Sequence, residues 1–562
     1  MLPNSLLPTL LPKPQFRGVV LCGFGVDLFP LVEPPAPSLS SASAQSPGQG
    51  QTKALLPVAG RKMIDWVVER AEQAGVFDVL VLTPTSISKP MGHHLRARRS
   101  NPASQSSSSH PSAKVDLEEI PEEVASRGTV RVLMWAAEKG LITTDFILLP
   151  CDLLLSPNPS PTISLASLLD RHRSDDNLVT TLFSTRASGN VQEARKDGPA
   201  EVLTIWDQRS DRLLDVREMD EFDDDEVPIR TSLFNKYPSP TLTTSLLPTQ
   251  LYIFSSLVLP LLRTNAAQPQ TPESQQLLRR LKSFESVKEL VGWIARSNWR
   301  KGGREDWSAP RRAGTGSGGV DPLSRELAMG RSTTQLPTYA IDHARGAGSS
   351  ARGGGVGLRS EPQTPGTTTP TPALVSRNSW LDSTSSRSQH PSAGLAGAGG
   401  SAGPASHAQS RAGAGGCKIV VWNERDGFCA RGNTVAGWVE CNRAALKLVP
   451  PQPPATSTPS GVFISPDSYL HPTVYGLMGE KVGIKRCIIG KGCQIGKNSK
   501  LTNSVIMEGA VIGENVKLDN CVVSNGVQIR DRAVLKDCEF GRDVIVDTDS
   551  QLKGEQLTVG DE

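Results

Sequence analysis

Apolar positions near the end of this 562-residue chain recur with a fixed step. Ile489, Ile506, Val523 and Phe540 stand seventeen apart. Ile495, Ile512, Ile529 and Val546 repeat the step six residues later, and Leu501, Leu518, Leu535 and Leu552 six later again. A small-residue column, Cys487, Ser504, Cys521 and Cys538, keeps the same register. A helix would place apolar side chains every three or four residues, and a lone strand every two. A step sustained over several units is the mark of a solenoid, whose coils bury their inner faces only by stacking. Three short strands per coil, each sending one apolar side chain inward, predict a parallel β-helix of hexapeptide-like repeats within residues 461–562. The usual left-handed form takes about eighteen residues per coil, so a step of seventeen implies one trimmed corner. Gly490, Gly496 and Gly513 lie beside inward positions and are expected to permit sharp corners. The competing reading is an ordinary β-sandwich.

The front half has a different pattern. Phe16–Leu21 reads as a buried strand followed by a glycine turn at 22–25. Met63–Ala74 fits a helix stopped by Gly75, and Val79–Leu82 is the next strand. Strand, turn, helix and strand make a βαβ unit, which implies a parallel sheet covered by helices. A helix through Trp135 and Ala137 precedes Phe146–Asp152, an apolar strand that ends in an acid. Ligands of open α/β sheets lie beyond such strand ends. Strands are expected at 178–183, 201–206 and 246–254, and paired helices over 277–299. Asp215–Glu226 reads as a solvated acidic loop. The α/β domain therefore spans 16–300, after a flexible start at 1–15, with insertions at 34–51 and 86–112. Residues 301–416 are too poor in apolar side chains to offset chain entropy and read as a disordered insertion. Residues 417–460 complete the domain and connect it to the β-helix.

Composition narrows the function classes. Net charge is +3, and residues 301–416 alone carry twelve Lys or Arg against seven Asp or Glu. The remainder is slightly acidic, so a general nucleic-acid-binding face is not supported. No run reaches the roughly eighteen apolar residues of a membrane span. The start is broken by Pro3, Pro8, Pro12 and Pro14 and does not read as a signal peptide. Nine cysteines without a Cys-x-x-Cys pair read as reduced and buried, in a cytosolic protein.

A βαβ domain followed by this solenoid resembles the sugar-phosphate nucleotidyltransferases. Their loop L-A-G-G-x-G-T-R-L-x-P-L corresponds here to Leu21-Cys-Gly-Phe-Gly-Val-Asp-Leu-Phe-Pro-Leu31, and K-P-L-L-P-V to Lys53-Ala-Leu-Leu-Pro-Val58. The resemblance implies phosphate-cradling amides at Gly23 and Gly25, a charge-neutralising Lys53 and a metal-binding Asp152. The loop is one residue short, and Val26 and Asp27 replace the Thr-Arg pair. No second aspartate is found, since residues 253–305 hold none before Asp306 and the later motif Phe428-Cys-Ala-Arg-Gly-Asn433 offers Arg431 instead. Losing one electrostatic contact to a transition state costs about 2.7–4 kcal/mol, so useful transfer is not expected. Gly23, Gly25, Lys53 and Asp152 are read as vestigial nucleotide-binding residues, with no catalytic residue, metal or cofactor implied.

Five stretches are more similar to the gamma subunits of eukaryotic translation initiation factor 2B, especially fungal ones. They are Thr52–Ile64, Leu149–Leu153, Thr231–Pro238 with Leu251-Tyr252, Gly427–Arg431 with Glu440–Arg443, and Ile484–Gly490 with Leu501–Met507. The resemblance implies a non-catalytic subunit of the guanine-nucleotide exchange factor that reloads translation initiation factor 2 with GTP. Its implied partners are the epsilon subunit, the alpha, beta and delta subunits and the GTPase trimer. No direct nucleic-acid or membrane partner is implied, and the location is the cytosol. A helical exchange domain like that of epsilon is not expected, since the sequence ends at Glu562 soon after the solenoid. Ile489, Ile495, Ile506, Ile512, Val523 and Ile529 are expected to form the β-helix core and its interface. The alternative is an active nucleotide-sugar pyrophosphorylase.

Overall fold

The computed structural model describes residues 16–32, 52–100, 112–157, 162–175, 177–185, 201–221, 227–263, 272–299, 416–448 and 459–559. The start at 1–15, the insertion at 34–51 and all but the last residue of the one at 301–416 lie outside the described residues.

Among the described residues ten strands form one mixed sheet. Phe16–Leu21 is third from one edge, parallel to Asp78–Pro84 on one side and to Asp145–Pro150 on the other, and Lys114–Ile120 completes the parallel part at that edge. These strands are near-continuous apolar runs because helices cover both faces. Helices Thr129–Glu138 and Val287–Ser297 cover one face, and Met63–Gln73 and Leu165–Ser174 the other. The expected parallel sheet is found in these four strands, and the rest of the sheet is mixed. Leu246–Phe254 runs antiparallel to both its neighbours, and Val202–Asp207 pairs antiparallel with Arg212–Glu218 across a short turn. A parallel crossover needs a dozen or more residues, which such a turn does not supply.

Two further expectations change. The span read as an insertion at 86–112 begins as the helix Thr85–Ser100, and only 101–111 lie outside the described residues. Ser88 and Met91 of this helix are buried, and Arg98 pairs with Glu72. Its apolar positions are few, which hid it. The acidic stretch from Asp215 is not a loop at its start. Asp215 is buried within Arg212–Glu218, where Arg217 and Arg296 hold its carboxylate.

Beyond the sheet domain, strands from Phe463 to Leu557 stack into three parallel ladders, the faces of a parallel β-helix. The register is one coil per step: Ile489 pairs with Ile506, Ile506 with Val523 and Val523 with Phe540. Ile489, Ile495, Ile506, Ile512, Val523 and Ile529 all point into the coil and are buried together. They cannot also contact another chain, so the interface expected of them is corrected. The outward neighbours Ile488, Val505 and Val522 make the exterior contact. They pack against Leu28, Leu56, Met63, Trp66 and Trp438 of the sheet domain.

The corners are also made differently. Lys481, Asn498, Asn515, Arg532 and Asp549 form one left-handed column, and Arg486, Asn503, Asn520 and Asp537 a second. Asparagine and aspartate tolerate this conformation better than most residues. Gly490, Gly496 and Gly513 do not make the corners. They allow close stacking, since a Cβ on Gly496 would lie 2.4 Å from the backbone of Gly513.

The register predicts opposite outcomes for adjacent residues. Ile529→Asp buries a charge in the coil interior and is expected to lower the melting temperature by more than ten degrees (about 4–8 degrees per kcal/mol for a domain of about 100 residues). Gln528→Asp, on the outer face, is expected to change stability by about 0.5 kcal/mol or less. Thermal unfolding followed by circular dichroism checks both.

Candidate functional site

Three segments far apart in the chain meet beyond the carboxyl ends of the central parallel strands. Asp145–Pro150 ends next to Phe16–Leu21, with Leu21 opposite Pro150. Cys22 and Cys151 therefore leave the sheet side by side, the Cys151 amide donating to the Leu21 carbonyl at 3.1 Å. Asp152 follows, fully buried. Gly427–Arg431 pairs antiparallel with Leu153–Pro157 and sets Arg431 opposite Leu153. The Gly432 amide donates to the Asp152 carbonyl at 2.8 Å.

The Asp152 carboxylate is enclosed by cations. Lys53 Nζ lies 2.6 Å from Oδ2. Arg431 donates from one terminal nitrogen to Oδ2 at 2.9 Å and from Nε to Oδ1 at 3.2 Å. This is the bidentate fork that suits guanidinium to carboxylate. Asp152 has no exposed side-chain surface, and Lys53 keeps 11 %. Burial alone would raise the carboxyl pKa. The charges of Arg431 and Lys53, with the hydrogen bonds both donate, outweigh burial and hold it well below the usual carboxylate range.

The loop residues play unequal parts. Gly25 adopts the left-handed conformation with φ at 79°, and a Cβ there would come within 2.9 Å of Lys53 Cβ. It gives room to the lysine stem. Gly23 has open space around it and no such constraint. Asp27 is exposed on the short turn Val26–Leu28. Of the four candidate residues, Lys53 and Asp152 are brought into contact and Gly25 packs against Lys53. Arg431 was recognised in the sequence as a lost acid but not as the partner of Asp152. The loss of an acid was the available signal, because a position that once faced Asp152 still faces it after substitution. The thiol pair Cys22 and Cys151 had no sequence signal, since strand neighbours are set by topology.

The nucleotidyltransferase fold implies magnesium held by two carboxylates. Magnesium takes hard oxygen ligands in octahedral geometry. Here both oxygens of Asp152 are engaged by fixed cations. Among the described residues no group of three or more His, Cys, Asp or Glu is placed to hold a metal. The residues present do not fit the ion.

Residues 42–279 match the family model of the MobA-like NTP transferase domain, and residues 461–558 match that of the GMPPB C-terminal domain. Together with the fold, these two partial matches make the chain similar to the sugar-phosphate nucleotidyltransferases. The first match begins at residue 42, so the loop Leu21–Leu31 falls outside it. Among the described residues no helix is long and apolar enough to cross a membrane.

Asp152→Asn should expose the energetics of the cluster. It leaves Lys53 and Arg431 beside each other without an anion and is expected to cost about 3–5 kcal/mol at pH 7. The folded pKa of Asp152 lies below the unfolded value near 3.9. Its stabilisation is therefore complete above that value and fades as pH falls towards the lowered folded value. Urea unfolding is expected to show a constant gap between wild type and variant from pH 8 to pH 5, narrowing below about pH 4.

Proposed function

We propose that this chain is a catalytically silent subunit of the exchange factor that reloads translation initiation factor 2 with GTP, and that it works by assembly and docking. The observation that carries the silence is the Asp152 cluster, in which Arg431 and Lys53 occupy the carboxylate that a metal would need. Exposed Asp27 on the shortened loop adds a negative charge where a triphosphate would lie. The likeness of Thr52–Ile64, Leu149–Leu153, Gly427–Arg431 and the seventeen-residue coils to the gamma subunits of initiation factor 2B supports the particular complex. In that reading the chain pairs with the epsilon subunit, joins alpha, beta and delta, and helps hold the GTPase trimer in the cytosol. A rigid sheet domain fixed to a β-helix suits docking, since each presents a preformed surface.

The match of 461–558 to the GMPPB C-terminal domain favours a second reading, an active nucleotide-sugar pyrophosphorylase. The two readings part in a simple assay. Pure protein with GTP or UTP, a hexose 1-phosphate and Mg²⁺ is expected to release no pyrophosphate above the blank. Release at an enzyme's ordinary rate, about 1–1000 per second, would establish the second reading. Affinity purification of the tagged chain from its own cells, followed by mass spectrometry, is expected to recover an epsilon-like subunit and the GTPase trimer. Recovery of the chain alone would count against the exchange-factor role.

A further inference from the structure

The three outer faces of the β-helix differ in chemistry. The face that carries Ile488, Val505 and Val522 is apolar and covered by the chain's own sheet domain. The face of Gln494, Val511, Gln528 and Ile545 is uncharged. The third face is built from Gly483–Lys485, Lys500–Thr502, Lys517–Asp519, Val534–Lys536 and Gln551–Lys553. The middle residue of each strand points inward and the flanking two point out. This face presents Lys485, Lys500, Lys517, Lys536 and Lys553, all exposed, against one acid, Asp519.

The order of these lysines works against the fold. Lys500 stands directly opposite Lys517, and Lys536 directly opposite Lys553. Like charges directly opposite on neighbouring strands destabilise a sheet. Asp519 stands opposite Lys536 but closes no ion pair within 4 Å among the described residues. At the neighbouring corner the same repeat does pair its charges, Arg530 with Asp547 and Arg532 with Asp549, each one coil apart. The lysine face leaves its charges uncompensated where one substitution per coil would pair them.

We infer that this face is a docking surface for an extended acidic segment of a partner protein. The lysines reach across four coil steps, about 19 Å at the usual strand spacing. An extended peptide of six or seven residues spans about the same length. The five face cations are lysines, whose long stems adapt to an irregular row of carboxylates. Readers of nucleic acid combine basic side chains with aromatic platforms on which bases stack, and the one aromatic side chain here, Phe463, lies under Lys485 at the first coil.

The test uses the full chain and fluorescein-labelled deca-glutamate, followed by anisotropy at low salt. Binding is expected, and it weakens at least tenfold between 50 and 300 mM salt as screening shortens. Replacing Lys500 and Lys553 by glutamate should weaken it at least tenfold, while Lys491→Glu, at an exposed corner off this face, should change it less than twofold. The melting temperature of the double variant supplies the folding control and an independent readout. It is expected to rise, because each substitution turns a like-charge pair into an opposite one. No binding of deca-glutamate overturns the inference, as does equal loss in Lys491→Glu. Tighter binding of a single-stranded RNA decamer than of the peptide also overturns it and gives the face to nucleic acid.

Discussion

A buried carboxylate needs a cation, and the choice of cation decides what the sheet domain can do. In this chain Asp152 is neutralised by Lys53 and Arg431, from segments about a hundred residues before it and nearly three hundred after it. The interaction closes the domain over a long sequence gap. Arg431 arrives only after residues 300–415, and its strand pairs with the one that follows Asp152. A metal would hold the same carboxylate only when bound, whereas these side chains are supplied by the fold itself. In the proposed reading the crevice beside Asp152 is part of the framework and does not serve phosphate chemistry. The net charge left at the cluster is positive, but its donors are directed inward at the carboxylate.

The same region joins the two architectures. Met63 and Trp66 on the first helix, Leu28 and Leu31 in the first loop and Trp438 on the last helix of the domain form one apolar cluster with Ile488, Val505 and Val522. Gly60 leaves room for the Tyr469 ring, since a Cβ there would lie 2.3 Å from its hydroxyl. Asn442 spans the cluster, accepting from the Ala59 amide at 2.9 Å and donating to the Trp438 carbonyl at 3.0 Å. Lys53 and Arg431 flank these segments in sequence. Stability at the Asp152 cluster and seating of the β-helix therefore depend on the same short stretches.

Much of this was legible in the sequence because it rests on period. The seventeen-residue step returned the register of the coils, and the apolar runs of the sheet domain marked strands that are buried on both faces. The errors arose where period is silent. Strand direction in the far half of the sheet follows from short connections. The Thr85–Ser100 helix is mostly polar, and Asp215 looks like part of an acidic loop until Arg217 and Arg296 are seen around it. The corner glycines were assigned to the wrong task because a conformational need and a need for close approach select the same residue. At the candidate site, Lys53 and Asp152 were found by likeness, but their contact with Arg431 is a long-range pairing that no local pattern encodes. The six residues expected at a β-helix interface point into the coil instead, since a shift of one residue along a strand turns a side chain from outside to inside.

The most direct test of the account is crystallographic. Crystals of the full chain grown with Mn²⁺ and GTP, measured at the manganese absorption edge, report whether a metal reaches Asp152. The account predicts no anomalous peak beside its carboxylate, with Lys53 and Arg431 still in contact with it. A manganese peak bound to Asp152, with Arg431 displaced, would contradict the claim that the protein's own cations have taken the metal's place.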